Sequence, residues 1–211
     1  MHRLIAILAL SAFAACQSGA HPALSTPTPP SPTPSNLPTS AILQSADIPS
    51  GLQVCLGSGP IDVYIASLAH ADPALAAKVG GQWQLLLDGG ATGGAISLFT
   101  ASPAACNAEL GATSGVKSLT SFVAIFADSA QADRAWGSGV FGFVPPAPGE
   151  ILPGVVRGTD TGLGLSSWTY DRSNIRLASW HKSVFVALVV VSNLDAAAFK
   201  SATTAVDARL N

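Results

Sequence analysis

The stretch "GLGLSSWTYDRSNIRLASWHKSVFVALVVV", residues 162–191, decides the fold of this chain. It contains three runs rich in aromatic and β-branched residues, the composition typical of strands, and short polar turns separate them. The predicted strands are residues 163–170, 174–181 and 184–191. The turn "DRSN" predicts a hairpin with Arg172-Ser173 at its tip, and a second two-residue turn follows Trp180. Strands joined by such short turns pair in an antiparallel sheet.

Alternation along these strands divides their side chains between two faces of the sheet. The first face is uniformly apolar and comprises Trp168, Tyr170, Ile175, Leu177, Val184, Val186 and Leu188. The second face mixes apolar residues with a guanidinium and comprises Leu165, Thr169, Arg176, Ala178, Trp180, Phe185 and Val189. We expect helices to cover the first face, because an apolar sheet face must be buried.

The second face has two interpretations. One is that a loop covers it, with the Pro- and Gly-rich stretch 142–162 as the candidate and Arg176 at its rim. The other is a ligand or partner surface built from Arg176, Trp180 and Phe185. Cover by a loop is the expected interpretation. The binding surface is the alternative, which has support because aromatic residues and arginine are enriched at binding hot spots.

Helical patterns occupy much of the remaining chain. A proline begins a predicted helix at residues 60–71, whose apolar stripe consists of Ile61, Ile65 and Leu68. The other predicted helices are 72–88, interrupted at Gly80-Gly81, then 102–111, 129–139 and 193–210, and the other predicted strands are 94–100 and 118–128. This order predicts an α+β fold, a mainly antiparallel sheet with packed helices in a single domain at residues 47–211.

The N-terminus begins with an apolar run at residues 4–15 that ends in "FAAC", with Cys16 as its last residue. The run has the length of a signal-peptide apolar region and is too short to span a bilayer of about 30 Å as a helix. Residues 1–16 resemble the signal peptide and lipobox of bacterial lipoproteins. The resemblance implies that residues 1–15 are removed and that the Cys16 thiol carries a lipid.

The segment after Cys16 supports an anchored protein. Residues 17–46 contain no Asp, Glu, Lys or Arg, and prolines recur in "STPTPPSPTPSNLPTS", a composition that predicts an extended chain. We therefore expect residues 16–46 to be the lipidated cysteine and a disordered tether, which holds the domain on the extracytoplasmic face of the cell membrane. Cleavage after Ala14, which would release a soluble protein, and an uncleaved anchor are the alternatives.

The chain has three cysteines, an odd number. If Cys16 carries lipid, Cys55 and Cys106 remain as a disulfide pair in an oxidising compartment. Closing a loop of about fifty residues stabilises a fold by roughly 4 kcal/mol on the chain-entropy model. The alternative is that both are buried free thiols that pack as small apolar side chains.

The sequence lacks the usual signals of catalysis, metal binding and nucleic-acid binding. Charged residues make up 10% of the chain and the formal net charge is −2, so no basic face for nucleic acid is expected. No G-x-S-x-G, C-x-x-C or H-E-x-x-H motif occurs. A Ser-His-Asp site, which is spatial rather than sequential, stays open, with His70 or His181 as the base. We expect no catalytic residues, metal or cofactor.

These features predict a membrane-anchored lipoprotein whose non-enzymatic domain binds a small molecule or an envelope protein. A structural or accessory envelope lipoprotein without a small ligand is the first alternative. A secreted enzyme of unrecognised type is the second. A concave apolar pocket with a few polar groups would favour the binding domain.

Overall fold

The computed structural model describes residues 37–113 and 115–210. Within these residues the sheet has eight strands: β1 (Gln53–Val54), β2 (Gly59–Pro60), β3 (Ala91–Thr100), β4 (Ser118–Phe126), β5 (Val155–Arg157), β6 (Ser167–Arg172), β7 (Ile175–Lys182) and β8 (Phe185–Ser192). Its α-helices are α1 (Pro38–Ala41), α2 (Ile61–Ala71), α3 (Pro73–Asp88), α4 (Ser129–Ser138) and α5 (Ala196–Asp207). The strand order is β1-β3-β4-β8-β7-β6-β5, and β2 also pairs with β3. All pairings are antiparallel, which confirms the predicted α+β class.

Both hairpins of the stretch that decides the fold are formed, but each turn lies further along the chain than predicted. The first has Ser173-Asn174 at its tip instead of Arg172-Ser173, so that Tyr170 pairs with Leu177. The second turn is Ser183-Val184, and Ser183 adopts a positive φ of 56°. A shift of the pairing by two residues leaves every strand side chain on its predicted face, because side chains alternate with period two. Among the predicted first-face residues, the exception is Val184, a turn residue that packs with the second face.

The first face of the sheet is covered by α2, α3 and α4, as expected for an apolar surface. Phe122 on β4 lies at its centre and makes edge-on contacts with the rings of Trp83, at 6.2 Å, and Phe141, at 4.6 Å. Trp83 packs so closely on β3 that a Cβ at Gly94 would lie 2.9 Å from its ring. Gly94 therefore permits the close approach of α3 to the sheet.

The second face is covered mainly by α5 and the segment around α1, and the stretch 142–162 reaches it only at the edge, where Gly158 and Thr161 contact Ser167 of β6. Trp180 and Phe185 are completely buried there. The indole Nε1 of Trp180 donates a hydrogen bond to Asp207 Oδ1 of α5 at 3.1 Å. The predicted loop therefore covers only the β6 edge of this face, and the apolar stripe of α5, which also needs burial, covers Trp180 and Phe185. Residues in the 143–155 region instead lie beside the first face.

The folded part begins earlier than residue 47. Ala41, Ile42 and Leu43 are buried, and the Leu43 N–H donates to Ser121 Oγ of β4 at 2.8 Å. The C-terminal end of the predicted tether, residues 38–46, is therefore part of the domain, because three consecutive apolar residues gain more by burial than by exposure. The predicted signal peptide, Cys16 and the remainder of the tether lie outside the described residues.

Two helix predictions need correction. Helix α3 runs without interruption through Gly80-Gly81, because buried Val79 and Trp83 on either side hold it against the sheet. Residues 102–111 form two short 3₁₀ turns, Pro103–Asn107 and Glu109–Gly111, rather than an α-helix. Helix α4 is capped by the side chain of Asp128, which accepts from the Gln131 N–H at 2.7 Å.

The first prediction tests the start of the folded part. Leu43→Ala should lower the free energy of unfolding by about 3 kcal/mol, because it removes a buried side chain from the core and leaves a cavity. Leu37→Ala is the matched control, since Leu37 is 70% exposed and its truncation should change stability by less than about 0.5 kcal/mol. Urea unfolding measures both. Equal effects of the two substitutions would place residues 38–46 outside the fold.

A second prediction concerns the ion pair that joins the two ends of the domain. The guanidinium of Arg209 donates to both carboxylate oxygens of Asp47 at 2.8 Å. The hydrogen bond from Arg209 is the largest cause that lowers the pKa of Asp47, and burial opposes it. Because the folded pKa is lowered, the pair stabilises the fold above the unfolded pKa of about 3.9 and is lost as pH falls through the folded pKa.

Asp47→Asn should therefore cost about 1 kcal/mol at pH 7. The difference between the two proteins should shrink towards zero below about pH 4. Asp160→Asn, at an exposed aspartate, is the control and should leave stability unchanged. Urea unfolding from pH 7 to pH 2.5 measures these differences. A loss of stability in Asp47→Asn that does not change with pH would contradict the ionic contribution.

Candidate functional site

The three residues of the predicted ligand or partner surface, Arg176, Trp180 and Phe185, do not form an accessible surface. Trp180 and Phe185 are fully buried under α5, so neither is accessible to a ligand in this fold. The side chain of Arg176 is 13% exposed, and its Nη1 donates to the carbonyl oxygen of Leu194 at 2.6 Å. Its Nε also lies 2.9 Å from Asp171 Oδ1, an ionic contact without hydrogen-bond alignment. Arg176 therefore fastens the loop before α5 to the sheet.

The predicted disulfide between Cys55 and Cys106 is confirmed, with 5.5 Å between their Cα atoms. It connects the residue that follows β1 to the 3₁₀ turn Pro103–Asn107. The Cys55 N–H also donates to the carbonyl oxygen of Leu98 on β3 at 2.8 Å. The disulfide and this hydrogen bond hold two irregular segments in place at one edge of the sheet.

A groove of about 470 Å³ lies beside this disulfide, and we call it the disulfide groove. Its walls come from four separate parts of the chain: residues 53–56, the second half of α2, Thr100 at the end of β3, and the turn that contains Cys106. Apolar atoms provide most of its surface, with a few polar side chains. Pockets of this size and composition are typical of small-molecule sites.

Tyr64 of α2 lines the disulfide groove, and it is 1% exposed. Its hydroxyl is buried without a hydrogen-bond partner among the described residues. Burial, and secondly the negative charge of Glu109, raise the pKa of Tyr64 to about 12. The phenol therefore stays neutral at physiological pH and keeps its O–H as a donor. The sequence prediction missed this residue, because it placed Ile65 on the buried stripe of α2 and Tyr64 off it.

The lining of the disulfide groove is polar at a few positions. Its polar side chains besides Tyr64 are Gln53, Ser67, His70, Thr100 and Asn107, and no Asp, Glu, Lys or Arg is among the described residues that line it. Glu109 acts on Tyr64 from outside the lining and forms an ion pair with Lys78 at 2.6 Å. The groove thus offers hydrogen bonds and apolar contact to a ligand.

A second groove, of about 620 Å³, lies between the Pro-rich loop and the sheet, and we call it the proline-loop groove. It is lined by Phe143, Trp168 and Tyr170, and Arg172 lies 5.8 Å from the centre of the Tyr170 ring. One wall consists of loop residues, whereas a helix and a disulfide fix the walls of the disulfide groove. Fixed walls lower the entropic cost of binding, which favours the disulfide groove as the candidate site.

The fold also brings Ser129, His181 and Asp133 together. Ser129 Oγ lies 3.4 Å from His181 Nε2, and Asp133 Oδ1 lies 3.5 Å from His181 Nδ1. However, Nε2 is 2.6 Å from the carbonyl oxygen of Ser183, which can only accept a hydrogen bond. Nε2 must therefore carry a proton, and a protonated nitrogen cannot remove one from Ser129. The arrangement lacks the free base that a serine nucleophile requires.

Residues 37–113 and 115–210 offer neither a metal site nor a membrane-spanning helix. These residues contain no group of three or more His, Cys, Asp or Glu side chains placed to hold a metal ion. No helix among them is both long enough and apolar enough to cross a membrane.

Comparison of the chain with protein-family models, curated proteins and solved structures gives no match. The candidate site therefore rests on its own geometry.

Proposed function

We propose that the chain is a lipid-anchored, extracytoplasmic binding protein whose domain holds a small molecule in the disulfide groove. One observation carries the binding proposal: a mostly apolar groove of about 470 Å³, braced by the Cys55–Cys106 disulfide, carries polar side chains at Gln53, Ser67 and Asn107. Pockets of this kind bury most of a small ligand and orient it through a few polar groups.

The proposal of a lipid anchor depends on the sequence. The "FAAC" at residues 13–16 supplies the cysteine, and the first described helix begins at Pro38. An extended chain between Cys16 and Pro38 would span at most about 70 Å. Such a tether would hold the domain near the membrane surface while leaving the groove open to solutes. The arrangement suits a protein that captures ligands at the cell envelope.

Two alternatives remain for the experiments to separate. A protein partner would use exposed apolar side chains, and Val144, Ile151 and Leu152 of the proline-loop region are exposed by 57%, 94% and 41%. A secreted enzyme would need a reactive group, and the engaged Nε2 of His181 disfavours the serine mechanism. The mostly apolar, disulfide-braced groove supports a small ligand over both.

A third prediction tests the anchor. In a bacterial host that processes lipoproteins, the full-length chain should fractionate with membranes, and the mass of its N-terminal peptide should correspond to a lipid-modified Cys16. Cys16→Ser should abolish both the modification and the membrane fraction, whereas Ser18→Ala in the same segment should retain them. Release of the wild-type chain with an unmodified N-terminus at Cys16 or Ala15 would contradict the anchor.

A fourth prediction tests the groove. The test uses the chain from residue 17 onwards, which contains every residue of the described fold, 37–113 and 115–210. A panel of metabolites, lipids and glycan fragments is screened by thermal unfolding. A ligand at a hundred times its dissociation constant adds about 2.7 kcal/mol of stability, which raises the Tm by about 5–10 °C.

Ala71→Trp should abolish that shift, because Ala71 is exposed, lines the groove and would fill it with an indole. Ala74→Trp is the matched control, at an exposed alanine of α3 outside the groove lining. Ligand shifts that persist in Ala71→Trp would exclude the disulfide groove as the site. A panel without any shift in the wild-type chain would favour a protein partner or a structural role.

A further inference from the structure

We propose that the mouth of the disulfide groove docks on the surface of a phospholipid bilayer, with Leu56 and Val54 inserted between the lipids. The proposal rests on the proposed lipid anchor and states which side of the domain faces the membrane. Three observations support it: the exposed apolar side chains at the mouth, the uncharged lining around them and the place where the chain enters the fold.

Exposed apolar side chains lie at the mouth of the disulfide groove. Leu56 is 90% exposed and Val54 is 55% exposed, and both line the groove. Ala71 of α2 and Pro103 of the turn that contains Cys106 also line it and are exposed. We call these four residues the apolar rim. Transfer of apolar side chains from water into the lipid interface is favourable, so the apolar rim has the composition of a membrane contact.

The surface that continues from the apolar rim lacks acidic and basic side chains. A smaller groove of about 200 Å³, which we call the α1 groove, shares Val54 with the disulfide groove and is also lined by Thr39 of α1 and Phe99 of β3. No Asp, Glu, Lys or Arg is among the described residues that line either groove. A charge pressed into lipid loses its hydration, and this surface approaches lipid without that cost. Docking should therefore require no anionic lipid.

The chain enters the fold on the same side as the apolar rim. Helix α1 has four residues and begins at Pro38, and its Thr39 lines the α1 groove together with Val54. With an anchor at Cys16, the surface nearest to α1 reaches the lipid with the least extension of the proposed tether. The anchor also raises the effective concentration of a second contact, so a contact too weak to hold a free protein suffices. Such a contact is reversible, and the groove is open to solutes whenever the domain is undocked.

A second group of exposed apolar side chains lies at the other end of the sheet. Its members are Val144, Ile151, Leu152, Val156 and Leu165. Glu150 and Arg172 line the proline-loop groove at this end, so docking here would press charges against lipid. Leu165 precedes β6, which lies five strands from β1, a distance of roughly 24 Å at about 4.8 Å per strand. This end of the sheet therefore provides a control site.

The fifth prediction places a fluorescent reporter in the apolar rim. Full-length Leu56→Trp, produced in a bacterial host that processes lipoproteins, is reconstituted into phosphatidylcholine vesicles whose acyl chains are brominated or unbrominated. The four native tryptophans are at most 9% exposed, so the bromine atoms should quench them little. The added indole should lose most of its emission in brominated vesicles and shift to the blue in unbrominated ones. The measurement is made at about pH 8, where a histidine such as His70 is neutral.

Leu165→Trp is the matched control, since Leu165 is 82% exposed and its added indole should stay unquenched. Val54→Trp is a second reporter in the apolar rim and should be quenched as well. Neither leucine substitution should change the Tm, because both side chains are exposed. Phosphatidylglycerol or high salt should leave the quenching unchanged. Quenching of Leu165→Trp equal to that of Leu56→Trp, or none in Leu56→Trp on vesicles that carry the protein, would overturn the proposal.

A second preparation distinguishes failure of docking from failure of the anchor. The chain from residue 17 onwards carries an N-terminal histidine tag, and a nickel-chelating lipid holds it on the same vesicles. If the full-length chain does not join vesicles but the tagged Leu56→Trp chain is quenched, the anchor is wrong and the docking side is supported. If both preparations join vesicles without quenching, docking is wrong and the anchor stands. A blue shift of Leu56→Trp that grows with protein concentration in the absence of lipid would assign the apolar rim to a second copy of the chain and overturn the proposal.

Discussion

Burial of β8 along its whole length is the constraint on which the rest of the structure depends. All eight residues of Phe185–Ser192 are buried, between β4 on one side and β7 on the other. A strand that is apolar on both faces requires cover on both faces, unlike a sheet with one wet side. Helices α2, α3 and α4 supply one cover, and α5 with the segment around α1 supplies the other. This requirement explains why chain segments pack on both sides of the sheet.

The sequence predicts the three strands of residues 163–191 and their faces well, because alternation with period two survives an error of two residues in the turn position. The sequence does not show which element covers which face. It shows the apolar stripe of α5 but not the surface on which this stripe packs, so cover and exposure of Trp180 and Phe185 both stay open. The segment at residues 38–46 resembled a tether because it lacks charge, although Ala41, Ile42 and Leu43 form part of the core.

The candidate site was harder to predict than the fold. Residues from four separate segments line the disulfide groove, and no motif connects them in the sequence. The pairing of Cys55 with Cys106 was the one part that composition could indicate. Tyr64 could have been noticed only as a polar tip on a helix expected to be buried, where a tyrosine hydroxyl normally has a partner. Only the three-dimensional structure shows that this hydroxyl has no partner among the described residues.

A helix and a disulfide hold the walls of the disulfide groove, and fixed walls lower the entropic cost of binding a ligand. The most direct test is a titration of the ¹⁵N-labelled chain with the strongest ligand from the thermal-unfolding panel, followed by amide chemical shifts. The account predicts that the largest changes occur at Val54, Leu56 and Tyr64, around the disulfide groove. Changes centred on Val144 and Leu152, or no specific changes at all, would contradict it.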